Sequence, residues 1–220
     1  MRPEIHLRLL LVLTFTTGMV DAVSFLSLDG VFAGNMTGNV IIIGAAITGA
    51  DHLPAVGPGV TLACFVFGAA AGGRVLRSSP PGWNVRHTAL VGGGGLATAG
   101  SGAALFAGGA EVPVAGALAL AMGAQAAAAR ELAVRDVTTV VVTSTLTAFS
   151  ADSPLGAGRA QPWPRRAGAI ALMGAGATTG AALIRLAPGW ALLAAAVAAL
   201  ATALAGARTT ATAQSSDRSP

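Results

Sequence analysis

The chain has 220 residues, 54% of them hydrophobic and only 10% charged, with 30 glycines besides. An ordinary soluble domain carries about 25% charged residues, and 13 positive and 9 negative side chains are too few to clothe a water-facing surface. Together with a mean hydropathy of +0.70, this excludes a soluble globular enzyme, a DNA-binding domain and a disordered protein, and leaves an integral membrane protein with several spans.

Crossing about 30 Å of hydrocarbon takes roughly 20 helical residues. In chain order, six runs meet that length: Leu9–Leu28, Gly57–Leu76, Thr88–Gly108, Val112–Leu132, Arg166–Ile184 and Pro188–Gly206. The first has no small-residue cleavage site and runs into a polar motif, so it is read as a retained span and not a signal peptide. Two apolar segments are shorter. Val40–Ala50 follows Asn35, Thr37 and Asn39, and Val137–Phe149 is crowded with threonines, among them Thr139, Thr143 and Thr145. As helices they reach only about 16 and about 20 Å. Each is a crossing only if its polar positions are counted in, and otherwise a re-entrant segment that enters and leaves on one face.

Charge placement separates the two cases. The net charge is +4, and every positive residue is Arg, placed singly or in pairs between apolar runs. This pattern sets orientation in a bilayer and does not suit nucleic acid. With six crossings and both short segments re-entrant, 12 of the 13 Arg fall on the side of the N-terminus, and Arg185 alone falls on the other. If the short segments cross, Arg74, Arg77 and Arg86 change sides and the bias collapses. The expected protein is therefore an all-α integral membrane protein with six transmembrane helices and two short re-entrant half-helices, with both termini cytoplasmic. The Ala, Gly and Arg usage without Lys suits a bacterial inner membrane. Residues 208–220, rich in Thr, Ser and Ala, are expected to form a disordered tail.

The halves 1–109 and 110–207 share an order of elements: a long span, a short polar segment, then two long spans. Gly68-Ala-Ala-Ala-Gly-Gly-Arg-Val-Leu-Arg77 aligns with Gly176-Ala-Thr-Thr-Gly-Ala-Ala-Leu-Ile-Arg185 at an offset of 108, and Met36–Asn39 aligns with Val142–Thr145 at an offset of 106. Three crossings per half is an odd number, so the second copy is inverted. Such 3+3 inverted repeats with interrupted elements near the midplane are a recurring transporter and channel plan.

The stretch Gly18-Met-Val-Asp-Ala-Val-Ser-Phe-Leu-Ser-Leu-Asp-Gly-Val-Phe-Ala-Gly-Asn-Met-Thr-Gly-Asn39 resembles the opening signature of the bacterial DUF1275 family, also called the YoaK family. A second signature is matched by Gly123, Gln125, Arg130, Thr138, Thr139, Thr143, Thr145 and Leu146, with Ala126 in place of Asn and Ser144 in place of Gly. The resemblance runs from about Leu9 to Ala205. It implies a polytopic inner-membrane protein and brings no mechanism with it.

Asp21 is the sharpest candidate, because a carboxylate within a span costs on the order of 3 kcal/mol to insert. It reads either as a proton- or cation-coupling group or as a cap that holds the segment Asn35–Asn39. Asn35, Thr37 and Asn39 read as a substrate site at a half-helix start or as N-caps. Gln125, Arg130, Thr139, Thr143 and Thr145 form the matching set in the second half, where Arg130 is either a partner for an anion or a snorkelling topology residue. Asp136 is a further candidate cap. His6, His52 and His87 stand at separate boundary positions, and Cys64 is single, so neither a metal site nor a cofactor is expected. No nucleophile–base pair argues for an enzyme.

The expected function is a small-solute transporter or channel with a polar midplane site. The alternative is a structural or accessory membrane protein. Lipid is the expected surround, a small solute or ion the expected ligand, and small-residue packing also suits a homodimer.

Overall fold

The computed structural model describes residues 3–49, 55–132 and 142–216. Every regular element among them is a helix: α1 (Pro3–Ser27), α2 (Met36–Ile47), α3 (Val56–Leu76), α4 (Val85–Phe106), α5 (Glu111–Glu131), α6 (Val142–Ala151), α7 (Trp163–Ile184) and α8 (Pro188–Ser216). Six of them, all but α2 and α6, are long and apolar enough to cross a membrane.

Local sequence explains the helix limits. Pro58, Pro113, Pro164 and Pro188 stand in the first turns of α3, α5, α7 and α8, where a missing N–H costs nothing. The Asn84 side chain caps α4 by accepting from the Arg86 amide at 3.0 Å. Beyond α1, Asp29 and Gly30 both take positive φ, 55° and 67°, which turns the chain out of the helix. Two ends differ from the sequence expectation. The helix of the first span starts at Pro3, ahead of the apolar run, and α8 continues through Arg208 to Ser216 where a disordered tail was expected. Extending an existing helix avoids the cost of nucleation, and Thr209 and Thr210 bond back to the Gly206 and Ala207 carbonyls.

Packing follows the glycines. A Cβ on Gly18 would run into the Met173 carbonyl and the Ala177 amide, and one on Gly176 into the Phe15 carbonyl. A Cβ on Gly123 would meet the Phe65 carbonyl and the Ala69 amide, and one on Gly68 the Leu120 carbonyl. The backbones of α1 and α7, and of α3 and α5, therefore touch directly, as small residues allow in membrane bundles. The register also gives direction. Gly176 sits on Phe15 and Gly180 on Met19, so α1 and α7 are parallel; Gly68 sits on Leu120 and Gly72 on Ala124, so α3 and α5 are parallel. Gly102 faces Gly189 while Gly92 faces Ala203, so α4 and α8 are antiparallel. Helix α1 also packs on α8, and α5 on α4.

Two ends of the bundle follow from this. At one, the Asp29 amide donates to Glu111 Oε2 at 3.0 Å and Asp29 lies against Gly57. The end of α1 and the starts of α3 and α5 thus meet there, and the chain between α1 and α3 leaves and returns at this Glu111 end. At the other, the Trp83 amide donates to His6 Nε2 at 3.3 Å, which joins the start of α1 to the approach to α4. Helix α2 packs on α3 and α6 on α7, with no close approach of α2 to α6 among the described residues. Each short helix therefore packs on its neighbouring long helix and not on the other short one.

Among the described residues the core has two apolar clusters, one around Met19, Val23, Leu118 and Leu192, the other around Leu10, Leu13, Trp83 and Val91. Side chains such as Ile41, Phe67, Leu96 and Val197 are exposed, as expected of surfaces solvated by lipid.

The crossing predicts that Gly176→Val, which forces a side chain into backbone, lowers stability in detergent by about 3 kcal/mol. Gly174→Val, two positions away with open space around it, leaves the melting temperature nearly unchanged.

Candidate functional site

Asp21 lies on α1 about two turns from its end and is buried. Its Oδ1 accepts a hydrogen bond from the Gly34 amide at 2.6 Å, and the amides of Ala33 and Asn35 lie beside the carboxylate. These donors belong to the irregular turn that leads into α2. Burying such backbone in an apolar setting requires partners for its N–H and C=O groups. Asp21 supplies an acceptor from α1, and Asn39 supplies partners for Phe32. The Asn39 side chain is fully buried; its Oδ1 accepts from the Phe32 amide at 2.9 Å, and its Nδ2 donates to the Phe32 carbonyl at 2.7 Å.

The remaining candidates separate. Asn35 occupies the N-cap position of α2, but its side chain makes no capping bond. The side-chain capping read from Asn35 and Thr37 is thus replaced by hydrogen bonds from Asp21 and Asn39 to the turn. Thr37 is exposed on the first turn of α2. Gln125 is buried beneath the site, where its Nε2 donates to Thr17 Oγ1 at 3.0 Å. Thr145 is buried on α6, whereas Thr143 is exposed on the first turn of that helix. Thr139 and Asp136, like His52, lie outside the described residues.

A cavity of about 510 Å³ opens beside Asp21. Asn35 from the start of α2 and Thr143 from the start of α6 both line it, and Phe25, Phe32 and Met173 form apolar walls. The Phe25 and Phe32 rings stack with centroids 4.9 Å apart. Asp21 is the one charged residue lining the cavity among the described residues. Arg130 does not reach it. It is exposed and lines a separate hollow of about 440 Å³ with Ala69, Gly73, Ala126, Ala127 and Glu131.

Two polar centres escaped the sequence reading. Arg166 is buried, and its Nη1 donates to the Ala148 carbonyl at 2.8 Å, Asp152 Oδ2 at 2.8 Å and Gln161 Oε1 at 2.9 Å. It fastens the end of α6 to the start of α7. His6 and His87 are both buried beside Trp83, not at open boundaries, and the His87 ring lies 5.9 Å from the Trp83 ring. The signals available were a doubled Arg at a helix start and a His within the first turn of an apolar run; neither fixes burial. No group of three or more His, Cys, Asp or Glu gathers as for a metal among the described residues.

Comparison with known proteins bears on this arrangement. The family model described as "Protein of unknown function (DUF1275)" matches residues 9–205. The chain belongs to the DUF1275 family. A curated relative, the UPF0700 transmembrane protein YoaK of Bacillus subtilis (strain 168), is 51% identical over 39 residues, which is 18% of this chain and 17% of the relative. The match thus spans about a sixth of that relative's length. No solved structure matches the chain. Family membership and the six long apolar helices together make this a transmembrane DUF1275 protein.

Two outcomes follow from the geometry. Asn39→Ala strips partners from both polar groups of Phe32 and costs about 2–3 kcal/mol of stability in a thermal melt. The Asp152 carboxyl is held below the usual carboxylate range, first by its hydrogen bond from Arg166 and then by the charges of Arg166 and Arg159. A lowered carboxyl contributes fully above its unfolded value of about 4 and loses its contribution as pH falls through the folded value. Limited proteolysis of the segment between α6 and α7 should therefore quicken below about pH 4, and Asp152→Asn should reproduce the quickening at neutral pH.

Proposed function

We propose that this DUF1275 protein is a small-solute transporter or channel whose polar site lies between two inverted halves of one membrane domain. The observation that carries this reading is the shared cavity: the starts of both short helices, Asn35 and Thr143, meet a buried carboxylate, Asp21, in one space of about 510 Å³. That volume is within the usual range of small-molecule sites. Interrupted helices whose starts face a common polar cavity are the transporter arrangement of a midplane site.

The packing supports the inverted repeat. Gly18 rests on Met173 and Ala177 as Gly123 rests on Phe65 and Ala69, and Gly176 rests on Phe15 as Gly68 rests on Leu120. The pairing of α1 with α8 has its counterpart in α5 with α4. On this correspondence Ala126 stands where Asp21 stands, and the Arg130 hollow is the counterpart of the Asp21 cavity. The acid belongs to one half alone.

Re-entrance is supported by the ends of the short segments. The chain around α2 begins and ends at the Glu111 end. The end of α6 is bound to the start of α7, while its first turn shares the Asp21 cavity with Met173 and Ala177. Arg8, Arg74, Arg77, Arg86, Arg130, Arg165 and Arg208 belong to the Trp83 end, and Arg185 to the other. The positive-inside rule assigns the Trp83 end, with both termini, to the cytoplasm of a bacterial inner membrane. The protein acts on its ligand without covalent chemistry, and lipid covers its exposed apolar faces.

A structural or accessory role is the second reading. The bonds from Asp21 and Asn39 to the turn before α2 favour it, since both side chains hold the fold. The two readings part in a flux assay. Purified protein in proteoliposomes, screened against a broad panel of small solutes and ions, should pass at least one, and Asp21→Asn should abolish that flux while the protein stays folded. Flux of nothing on the panel would favour the structural role.

A further inference from the structure

We infer that Asp21 is a proton-binding site, and that protonation loosens the hold of α1 on the turn before α2. This deepens the transport reading by naming the coupling ion, and it rests on that reading only for its use in transport. The argument starts from what surrounds the carboxylate. Its protein partners are N–H groups: Gly34 at 2.6 Å, with Ala33 and Asn35 beside it. Donor hydrogens carry partial positive charge, so they favour a carboxylate and oppose a metal cation.

A metal ion also needs several oxygen ligands gathered around it. Among the described residues no second acid lines the cavity, and the Thr178 hydroxyl there is turned to the Gly174 carbonyl of its own helix. A proton needs only one lone pair of one carboxylate oxygen. The cavity gives it a route to Asp21, which is buried but lines the open space.

Among the described residues no other titratable side chain faces Asp21. Helix α7 offers Met173, Ala177 and Thr178, and α6 offers Val142 and Thr143. Helix α8 presents Ala191, Leu192 and Ala195 to the core, and α5 offers the neutral Gln125, bonded to Thr17. The acids Asp29 and Glu111 are joined at the end of the bundle through the Asp29 amide. The charge on Asp21 is thus the element that a change of pH can alter at this junction.

The consequence is mechanical. A hydrogen bond to a charged carboxylate is about twice as strong as one to a neutral acid. A proton taken from water onto the free lone pair removes the charge, and the hold of the turn's amides on α1 falls by about half. Asn39 still ties Phe32 to α2, so the turn and α2 move as a unit.

Hydrogen exchange on the full-length protein in lipid nanodiscs tests this directly. After correction for the intrinsic pH dependence of exchange, the amides of residues 33–35 should exchange about tenfold faster in mildly acidic than in mildly alkaline buffer. Asp21→Asn should show the fast rate at both, and replacing sodium with choline should change nothing. If Asp21→Asn does not fold, infrared titration of the wild type takes its place. A protonated-carboxyl band shielded from solvent should then grow in step with the faster exchange. Exchange at 33–35 that ignores pH, a pH response that survives Asp21→Asn, no shielded carboxyl band, or a shift driven by sodium at fixed pH would overturn the proposal. A pH response without flux of any solute would instead defeat the transport reading and leave the proton site standing.

Discussion

A peptide group in an apolar surround has no water to fall back on, so its N–H and C=O must find partners within the protein. The six long helices meet this demand internally. The chain between α1 and α2 does not, and the rest of the site is arranged around that need. Asp21 reaches from a neighbouring helix to the amide of Gly34, and Asn39 reaches back to both polar groups of Phe32. The hydroxyls of α1 are settled in the same way: Thr14, Thr17 and Ser24 bond to carbonyls one turn earlier in their own helix. The glycines contribute by subtraction. With no side chain at Gly18 or Gly176, α7 lies directly on α1 and forms a wall of the cavity beside the acid.

The two glycine crossings differ in the residues beside them. Both halves carry a close glycine crossing and a short helix packed against the adjoining long helix. The first has an acid beside its crossing, and the second has Ala126 there with Arg130 and Glu131 one turn on. The short helices are also fastened differently. The end of α6 is bound by the buried Arg166 with Asp152 and Gln161, whereas the turn before α2 is held by a single carboxylate and one amide side chain. The fastening of the turn before α2 is the one that adjoins the cavity.

The long helices were legible because length and hydropathy are sufficient to find a span, and the absence of room for a full crossing identified the two short ones. The match of Gly68 with Gly176 was legible, but not which helices those glycines would meet. The partners were less accessible. Asp21 stands out in its run, but its bond to the Gly34 amide joins residues 13 apart across an irregular turn, and no periodicity describes that. Arg130 was grouped with the site because spacing along the chain gives depth and not the side of the helix; the side it takes faces α3. Gln125 was singled out, yet its partner Thr17 lies 108 residues away. Arg166 read as an interfacial charge because sequence cannot tell a snorkelling side chain from one folded inward onto Asp152.

The account depends most on α2 entering and leaving at the Glu111 end. Single cysteines placed at Thr48, at Ala107 and at Ser78, with Cys64 changed to Ser, test it in intact membranes with an impermeant thiol reagent. Thr48 and Ala107 should be labelled from the same face and Ser78 from the opposite one. Labelling of Thr48 together with Ser78 would make α2 a crossing helix and remove the cavity's second wall.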